Sequence, residues 1–500
     1  MKTQLALVLP VFLILTAALL FLTGACGSDS TPPAKPVAKA TPTAGMPFAY
    51  VDVAGPMGYT MRNRTGRDRA KDLIVEAMPP GIAVGDFNGD GWMDMFGPNG
   101  NLVKGVNVNQ QTPILLSDDE APRNALYMNR EGKRFEDVAK EAGVDGTRWS
   151  FGAVAGDIDN DGDTDIFLCN WGKNRLYLND GTGKFTDVAL EAGAAGASRD
   201  WSAGAALFDY DGDGDLDIYV AQYADMHAAM ADPELVRINP KTGEMNGRTC
   251  DWRGLKVYCG PLGLMPQNDV LLESQLAQTG ELTFKDVTKK AGLFIEINAE
   301  SNKEGSRGPY YGFQPIVWDI DGNGHPDVFV ANDSVRNVCW MNNGDGTFED
   351  HAEEMGLAVS LDDFVPQASM GVNIADINGD GLQDVVISEF SHDQFNMLVG
   401  HRLKDGRVVF DEKSAQTRIR EFTFAALGWG VGLLDPDHDG DIDVFFACGH
   451  VYPEVNTRPN TGTTYDQLNL MILNLRQDPL KFENVTAKAG PGIASMRRPS

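Results

Sequence analysis

Between residues 150 and 188 short apolar runs alternate with polar turns: GAVAG, the acidic stretch DIDNDGDTD, DIFLC, RLYLN, an Asn/Gly turn and KFTDV. Apolar runs of this length bounded by Gly, Asn and Asp predict strands, and the Asn/Gly turn predicts an antiparallel hairpin. Residues 152–188 thus read as a meander of four strands. Its second strand is apolar at consecutive positions, IFL here and IYV, VFV, VVI and VFF in later copies, so both of its faces must be covered. Radially stacked four-stranded sheets meet that demand, whereas a sandwich with one wet face does not. The predicted fold class is therefore all-β, a β-propeller of four-stranded antiparallel blades.

The acidic stretch recurs. DFNGDGWMD (86–94), DIDNDGDTD (157–165), DYDGDGDLD (209–217), DIDGNGHPD (319–327), DINGDGLQD (376–384) and DPDHDGDID (435–443) all fit D-x-[DN]-x-[DN]-G-x-x-D. Successive copies start 71, 52, 110, 57 and 59 residues apart, a period that suits propeller blades in which two units carry insertions. The insertions fall at 99–122 and 224–265, where loops on a propeller face would emerge. A second element alternates with the first: FEDVAKEAG, FTDVALEAG, FKDVTKKAG, FEDHAEEMG and FENVTAKAG from Phe135, Phe185, Phe284, Phe348 and Phe482, with degenerate copies at Phe48 and Phe410.

Oxygens at loop positions 1, 3, 5 and 9, with the position-7 carbonyl between them, can wrap a hard cation of calcium's size, and Gly at position 6 permits the sharp turn. The expected ligands are Asp86, Asn88, Asp90, Trp92 and Asp94; Asp157, Asp159, Asp161, Asp163 and Asp165; and Asp209, Asp211, Asp213, Asp215 and Asp217. The later loops contribute Asp319, Asp321, Asn323, His325 and Asp327; Asp376, Asn378, Asp380, Leu382 and Asp384; and Asp435, Asp437, Asp439, Asp441 and Asp443. In each set the fourth-named residue offers its carbonyl, which would leave the Asp163 carboxylate toward water. Magnesium, with its smaller octahedral shell and tightly held waters, fits less well. Up to six calcium ions would bring the formal charge from −29 to −17. That acidity argues against nucleic acid and anionic lipid surfaces as partners.

At the N-terminus one lysine, an apolar run from Leu5 to Leu22 and the small residues before Cys26 predict an export signal over 1–26, with Cys26 as the lipidated residue of a lipobox-like site; an uncleaved anchor is the alternative. Residues 27–47, rich in Pro, Ala and Thr, predict a semi-extended tether, residues 48–490 the propeller, and 491–500 a tail. Cys250 and Cys259, close together in a loop of an exported chain, predict a disulfide. Cys169, Cys339 and Cys448 sit in apolar runs and predict buried free thiols.

With its six loops, its F-x-D-V strands, CDWRGLKVYCGPLGL and GHVYPEV, the chain resembles the FG-GAP/VCBS repeat proteins and, more closely, the bacterial cartilage acidic protein-like (ASPIC/UnbV) family over residues 47–490. The resemblance implies an integrin-like propeller of the seven-bladed type with calcium between the first two strands of its blades. Here only six loops accompany seven F-x-D-V elements, and the sequence given stops ten residues after Gly490. This predicts either a truncated chain with an incomplete last blade or a short form that closes with six blades, the strand near Phe48 supplying the outer edge of the last blade, and the lack of the ASPIC/UnbV domain.

No G-x-S-x-G, HExxH or P-loop occurs, and the seven histidines are scattered. His450 and Tyr452 are the isolated acid–base candidates, with packed turn residues as the ordinary alternative. Trp92, Trp149, Trp171, Trp201, Trp318 and Trp429 lie beside strands, where core packing is the default and sugar stacking the sharper reading. The function expected is a calcium-binding, envelope-anchored extracytoplasmic module, monomeric, that binds a protein or glycan partner or serves as a scaffold. A polysaccharide hydrolase or lyase using a cleft in the insertions is the alternative.

Overall fold

The repeating unit folds six times into a four-stranded antiparallel sheet, and the acidic loop joins the first strand to the second in each. The computed structural model describes residues 46–66, 71–107, 112–232, 234–238, 245–297, 311–358, 365–494 and 497–498. The expected export signal with Cys26, and nearly all of the tether, lie outside them. Blade one comprises Ala83–Gly85, Asp94–Gly97, Ala125–Arg130 and Arg134–Asp137; blade two Ser150–Gly156, Asp165–Asn170, Arg175–Asn179 and Phe185–Asp187. Blade three comprises Ser202–Phe208, Asp217–Gln222, Val270–Ser274 and Phe284–Asp286; blade four Gly312–Trp318, Asp327–Asn332, Val338–Asn342 and Phe348–Asp350. Blade five runs Val372–Ala375, Asp384–Ile387, Asn396–Arg402 and Val408–Glu412, and blade six Gly428–Leu434, Asp443–Cys448, Leu470–Asn474 and Phe482–Asn484.

The doubly apolar second strands explain the stacking. Phe167 and Ile166 point to opposite faces of blade two, and both are 0% exposed: Phe167 packs with Ile218 and Leu272 of blade three, Ile166 with Phe96 and Leu126 of blade one. Burying each such side chain stabilises the fold by about 1.5–3 kcal/mol, so a blade needs a neighbour on both sides.

Blades one to six pack their first strands side by side in chain order, but those of six and one do not meet in this way. Between them runs the N-terminal segment. Tyr50 N–H donates to the Ala489 carbonyl at 2.7 Å, as Phe284 N–H does to Ala192 at 2.7 Å and Phe348 N–H to Ala291 at 2.9 Å. Asp52 Oδ1 accepts from Ala54 N–H at 3.0 Å, as Asp137 accepts from Ala139 at 3.1 Å. On the other side Phe135 N–H donates to Met57 at 2.6 Å. Residues 50–59 thus repeat the outer-strand-and-turn of a blade and cover Phe445 and Met471 on one side, Met95 and Tyr127 on the other. This corrects the expected register by two residues: Tyr50, not Phe48, takes the repeat's aromatic place, because the turn is keyed to Asp52. Nor does the segment edge blade six, which has its own outer strand at Phe482–Asn484. It forms a separate seventh station.

Because strands alternate in direction, the connections from second to third strand emerge on the face opposite the acidic loops. Both insertions do so, the first as the hairpin Val103–Asn107/Thr112–Leu115, the second as a helix Met226–Ala231 and two hairpins, Val236–Ile238/Met245–Gly247 and Thr249–Trp252/Leu255–Tyr258. A third, residues 449–469, carries GHVYPEV, which leads into the 3₁₀ turn Pro453–Thr457, and a second 3₁₀ turn at Pro459–Thr461. The Cys250–Cys259 disulfide closes the last hairpin with Cα atoms 5.0 Å apart, and Cys169, Cys339 and Cys448 are buried free thiols.

Candidate metal centres

Each acidic loop is shaped by hydrogen bonds from its own backbone. In all six, the position-1 carboxylate accepts through Oδ2 from the N–H of the position-6 glycine, at 2.7–3.0 Å. Those glycines have φ between +87° and +96°, a region that strains any residue with a Cβ. The position-5 side chain accepts through Oδ1 from the position-7 N–H at 2.8–3.2 Å.

The ninth position does the most structural service. Asp94, Asp165, Asp217, Asp327, Asp384 and Asp443 are each 0–1% exposed. Oδ1 of each accepts a backbone N–H of the third strand, from Asn129, Asn179, Ser274, Asn342, Gly400 or Asn474, at 2.7–2.9 Å. In five loops Oδ2 accepts the position-2 N–H at 2.8–3.1 Å. Loop six has Pro436 there, which lacks an N–H, and Asp443 Oδ2 is buried without a partner. Burial pushes these carboxyls up: to about 6 for Asp327 and Asp384, about 7 for Asp94 and Asp165, and about 8 for Asp217 and Asp443.

Positions 1, 3 and 9 converge. Asp157, Asp159 and Asp165 each bring an oxygen within 4.8 Å of the other two, and so do Asp209, Asp211 and Asp217; Asp319, Asp321 and Asp327; and Asp435, Asp437 and Asp443. Loops one and five carry Asn88 and Asn378 at position 3, so they present two carboxylates and an amide instead of an acid triad. Desolvation, then the neighbouring acids, holds Asp159, Asp211 and Asp437 above the ordinary carboxylate range. Asp157 Oδ1 and Asp437 Oδ1 are buried without a hydrogen-bond partner. An all-oxygen set of like charges with unsatisfied lone pairs fits a hard cation, which would answer both costs.

Asp161, Asp213 and Asp439 at position 5 are not among the converging oxygens of their loops, and in all six loops the position-5 side chain is held by the position-7 N–H. The position-7 side chains cover the same blade's outer hairpin: a Cβ at Gly132, Gly181 or Gly344 would lie 2.7, 2.5 or 2.5 Å from Trp92, Asp163 or His325. The Asp163 carboxylate is therefore half-buried over Gly181 instead of turned to water. Asp215 is 1% exposed and accepts from Ala277 N–H at 2.7 Å, and Asp441 pairs with Arg476 at 2.5 Å.

A feature not read from the sequence links alternate loops. Asn179 Nδ2 donates to the Phe87 carbonyl of loop one at 2.8 Å, Asn342 Nδ2 to Tyr210 of loop three at 2.8 Å, and Asn474 Nδ2 to Ile377 of loop five at 3.1 Å. Blades two, four and six thus clamp the loop of the blade before them. The signal available was an Asn closing LYLN, CWMN and MILN, where blades three and five have Ser274 and Gly400.

On the opposite face, Trp149 and Trp201 are 0% exposed and Trp171 7%, so these tryptophans pack the core; elsewhere Trp92 in loop one, Trp318 beside loop four and Trp429 are half-buried. His450 is 0% exposed, its Nδ1 accepts from Tyr452 N–H at 3.0 Å, and its ring packs 5.2 Å from Trp252. Burial pulls its pKa down to about 3, which suits a packed turn residue and not a proton carrier at neutral pH.

The FG-GAP-like repeat family matches residues 114–168, 157–220 and 319–387. Over 169 residues the chain is 29% identical to cartilage acidic protein 1 of Homo sapiens, and over 135 residues 31% identical to that of Xenopus tropicalis. These alignments cover 33% and 26% of this chain and 22% and 18% of those proteins, so the match spans under a quarter of the relatives' length. Among solved structures, an Agrocybe aegerita lectin that recognises non-reducing terminal N-acetylglucosamine aligns over 88% of this chain and 87% of its own, at 15% identity and a TM-score of 0.43. A rhamnogalacturonan lyase aligns over 82% of each chain at 13% identity and a TM-score of 0.28.

Proposed function

Because the chain belongs to the FG-GAP-repeat β-propellers, we propose that its acidic loops bind calcium and that the propeller serves as a calcium-stabilised binding module outside the cytoplasm. The observation that carries this reading is the convergence of positions 1, 3 and 9 in four loops; the other two carry an amide at position 3 of the same motif. Calcium accepts both sets, since it takes carboxylate and amide oxygens in variable number. An extracytoplasmic setting is supported by the disulfide and by the leader that ends at Cys26, which would tether the module to a membrane by lipid. The partner, a protein or a glycan, would meet the face built from the three insertions, which carries the aromatic side chains. The hydrolase or lyase alternative draws no support from His450, which is buried.

Two measurements test the reading. Thermal unfolding in chelator should fall well below that in millimolar calcium, and an unchanged melting temperature defeats calcium binding. Affinity capture from envelope extracts should recover a partner in calcium and lose it in chelator; capture of nothing in either condition leaves only a scaffold role and defeats the binding module.

A further inference from the structure

Five residues after the ninth loop position, at the end of the second strand or just beyond it, stand Asn99, Asn170, Gln222 and Asn332 in blades one to four. Blade five places an acid there, Glu389, which is 0% exposed. Its Oε1 accepts from Ser369 Oγ and from Asn396 Nδ2, each at 2.9 Å, while Oε2 has no partner. The amide beside it is in the same condition: Asn396, 4% exposed, spends Nδ2 on Glu389 and on Gln367 Oε1 at 2.8 Å, and its Oδ1 has no partner. Asn332 Oδ1 of blade four is likewise buried and unpartnered, and its backbone carbonyl accepts from Ser369 N–H at 3.1 Å. Gln394, on the turn between Glu389 and Asn396 and 5% exposed, leaves both amide atoms unpaired. Asp393 and Asp333, both acids, add to the cost of charge on Glu389, and among the described residues it forms no ion pair.

A fully buried carboxylate with no cation of the protein beside it must hold either a proton or an ion, because the bare charge is too costly in a medium of low dielectric. A proton on Oε2 could be donated to Asn396 Oδ1 but would leave the orphan oxygens of Asn332 and Gln394 unanswered, whereas a cation can draw on several acceptors at once. We propose that blades four and five hold a hard cation, calcium or sodium, at Glu389, with the oxygens of Asn396, Asn332 and Gln394 as the neutral donors. The site lies at the opposite end of the blade-five strand from loop five and does not depend on the loops binding calcium.

Glu389→Gln tests it and is compatible with folding, since Gln222 occupies the matching place in blade three. Metal-stripped full-length protein and this variant are titrated with calcium in a choline buffer, and sodium uptake is followed by sodium-23 line broadening. Wild type should take up one equivalent more than Glu389→Gln of one of the two ions, which also identifies the ion. Asn396→Ala, which removes a donor and keeps the acid, should weaken uptake of that same equivalent. Equal uptake of both ions by wild type and Glu389→Gln overturns the site; an infrared band of a neutral carboxylic acid present only in wild type would then assign the proton to Glu389. Loops that fail to bind calcium would lower the total in both proteins and leave the difference between them intact.

Discussion

Asp159 and Asp161 carry the same side chain two residues apart, yet the structure gives them different work. Asp159 joins Asp157 and Asp165 in the converging group, whereas Asp161 Oδ1 accepts the Asp163 N–H and stays outside it. Asp159→Asn should therefore weaken that site more strongly than Asp161→Asn, which a titration of both variants reads directly. Equal losses would restore the EF-hand-like ligand order expected from spacing. The ninth position belongs to a third class: Asp165 ties Ile158 to Asn179, so its replacement by Ala leaves two buried N–H groups unpaired and costs stability as well as an ion. These distinctions were not legible in D-x-[DN]-x-[DN]-G-x-x-D, where every acid looks like a ligand. The motif records which oxygens are near one another along the chain, not which are already engaged by backbone donors.

The meander was legible because its signals are local: alternation, turn residues and a doubly apolar second strand. The same local reading placed the disulfide and both insertions. It misplaced the N-terminal segment because Phe48 imitates the repeat's aromatic residue, while the hydrogen bond that sets register belongs to Asp52. Gly490 tests that station. It has φ +101°, and a Cβ there would lie 2.7 Å from both Tyr50 N and Tyr50 O. Gly490→Ala should cost about 1–3 kcal/mol from backbone strain alone, and more if the segment is pushed off blades six and one. Gly280, with φ +73° and open space around its Cα, is the control whose Ala variant pays only the conformational term. Chemical unfolding that finds the two variants equal would show that residues 50–59 do not hold the ring. The alternate asparagine clamps and the Glu389 network escaped the sequence reading for a related reason: their partners are 92 to 132 residues apart for the clamps of loops one, three and five, or depend on what is missing around a buried oxygen.

Across the whole molecule, the loops couple folding to both protons and calcium. The six ninth-position carboxyls rise from an ordinary value of about 4 to between about 6 and 8, because burial penalises their charge. A carboxyl whose folded value is raised binds its proton more tightly in the folded chain, so its stabilisation is complete below about pH 4 and is lost as pH rises through its folded value. In chelator the melting temperature should accordingly fall from pH 5 to pH 8.5, in the same direction as the self-repulsion of a chain with a formal charge of −29. Calcium competes for the same oxygens and gains as the protons leave. At one hundred times its dissociation constant a single ion contributes about 2.7 kcal/mol, so several loops acting together can reverse the trend. The gap between melting temperatures in calcium and in chelator should therefore widen steadily across that pH range. A constant gap would mean that the ninth-position acids keep their protons or never meet the ion, and that the triads are folding devices only.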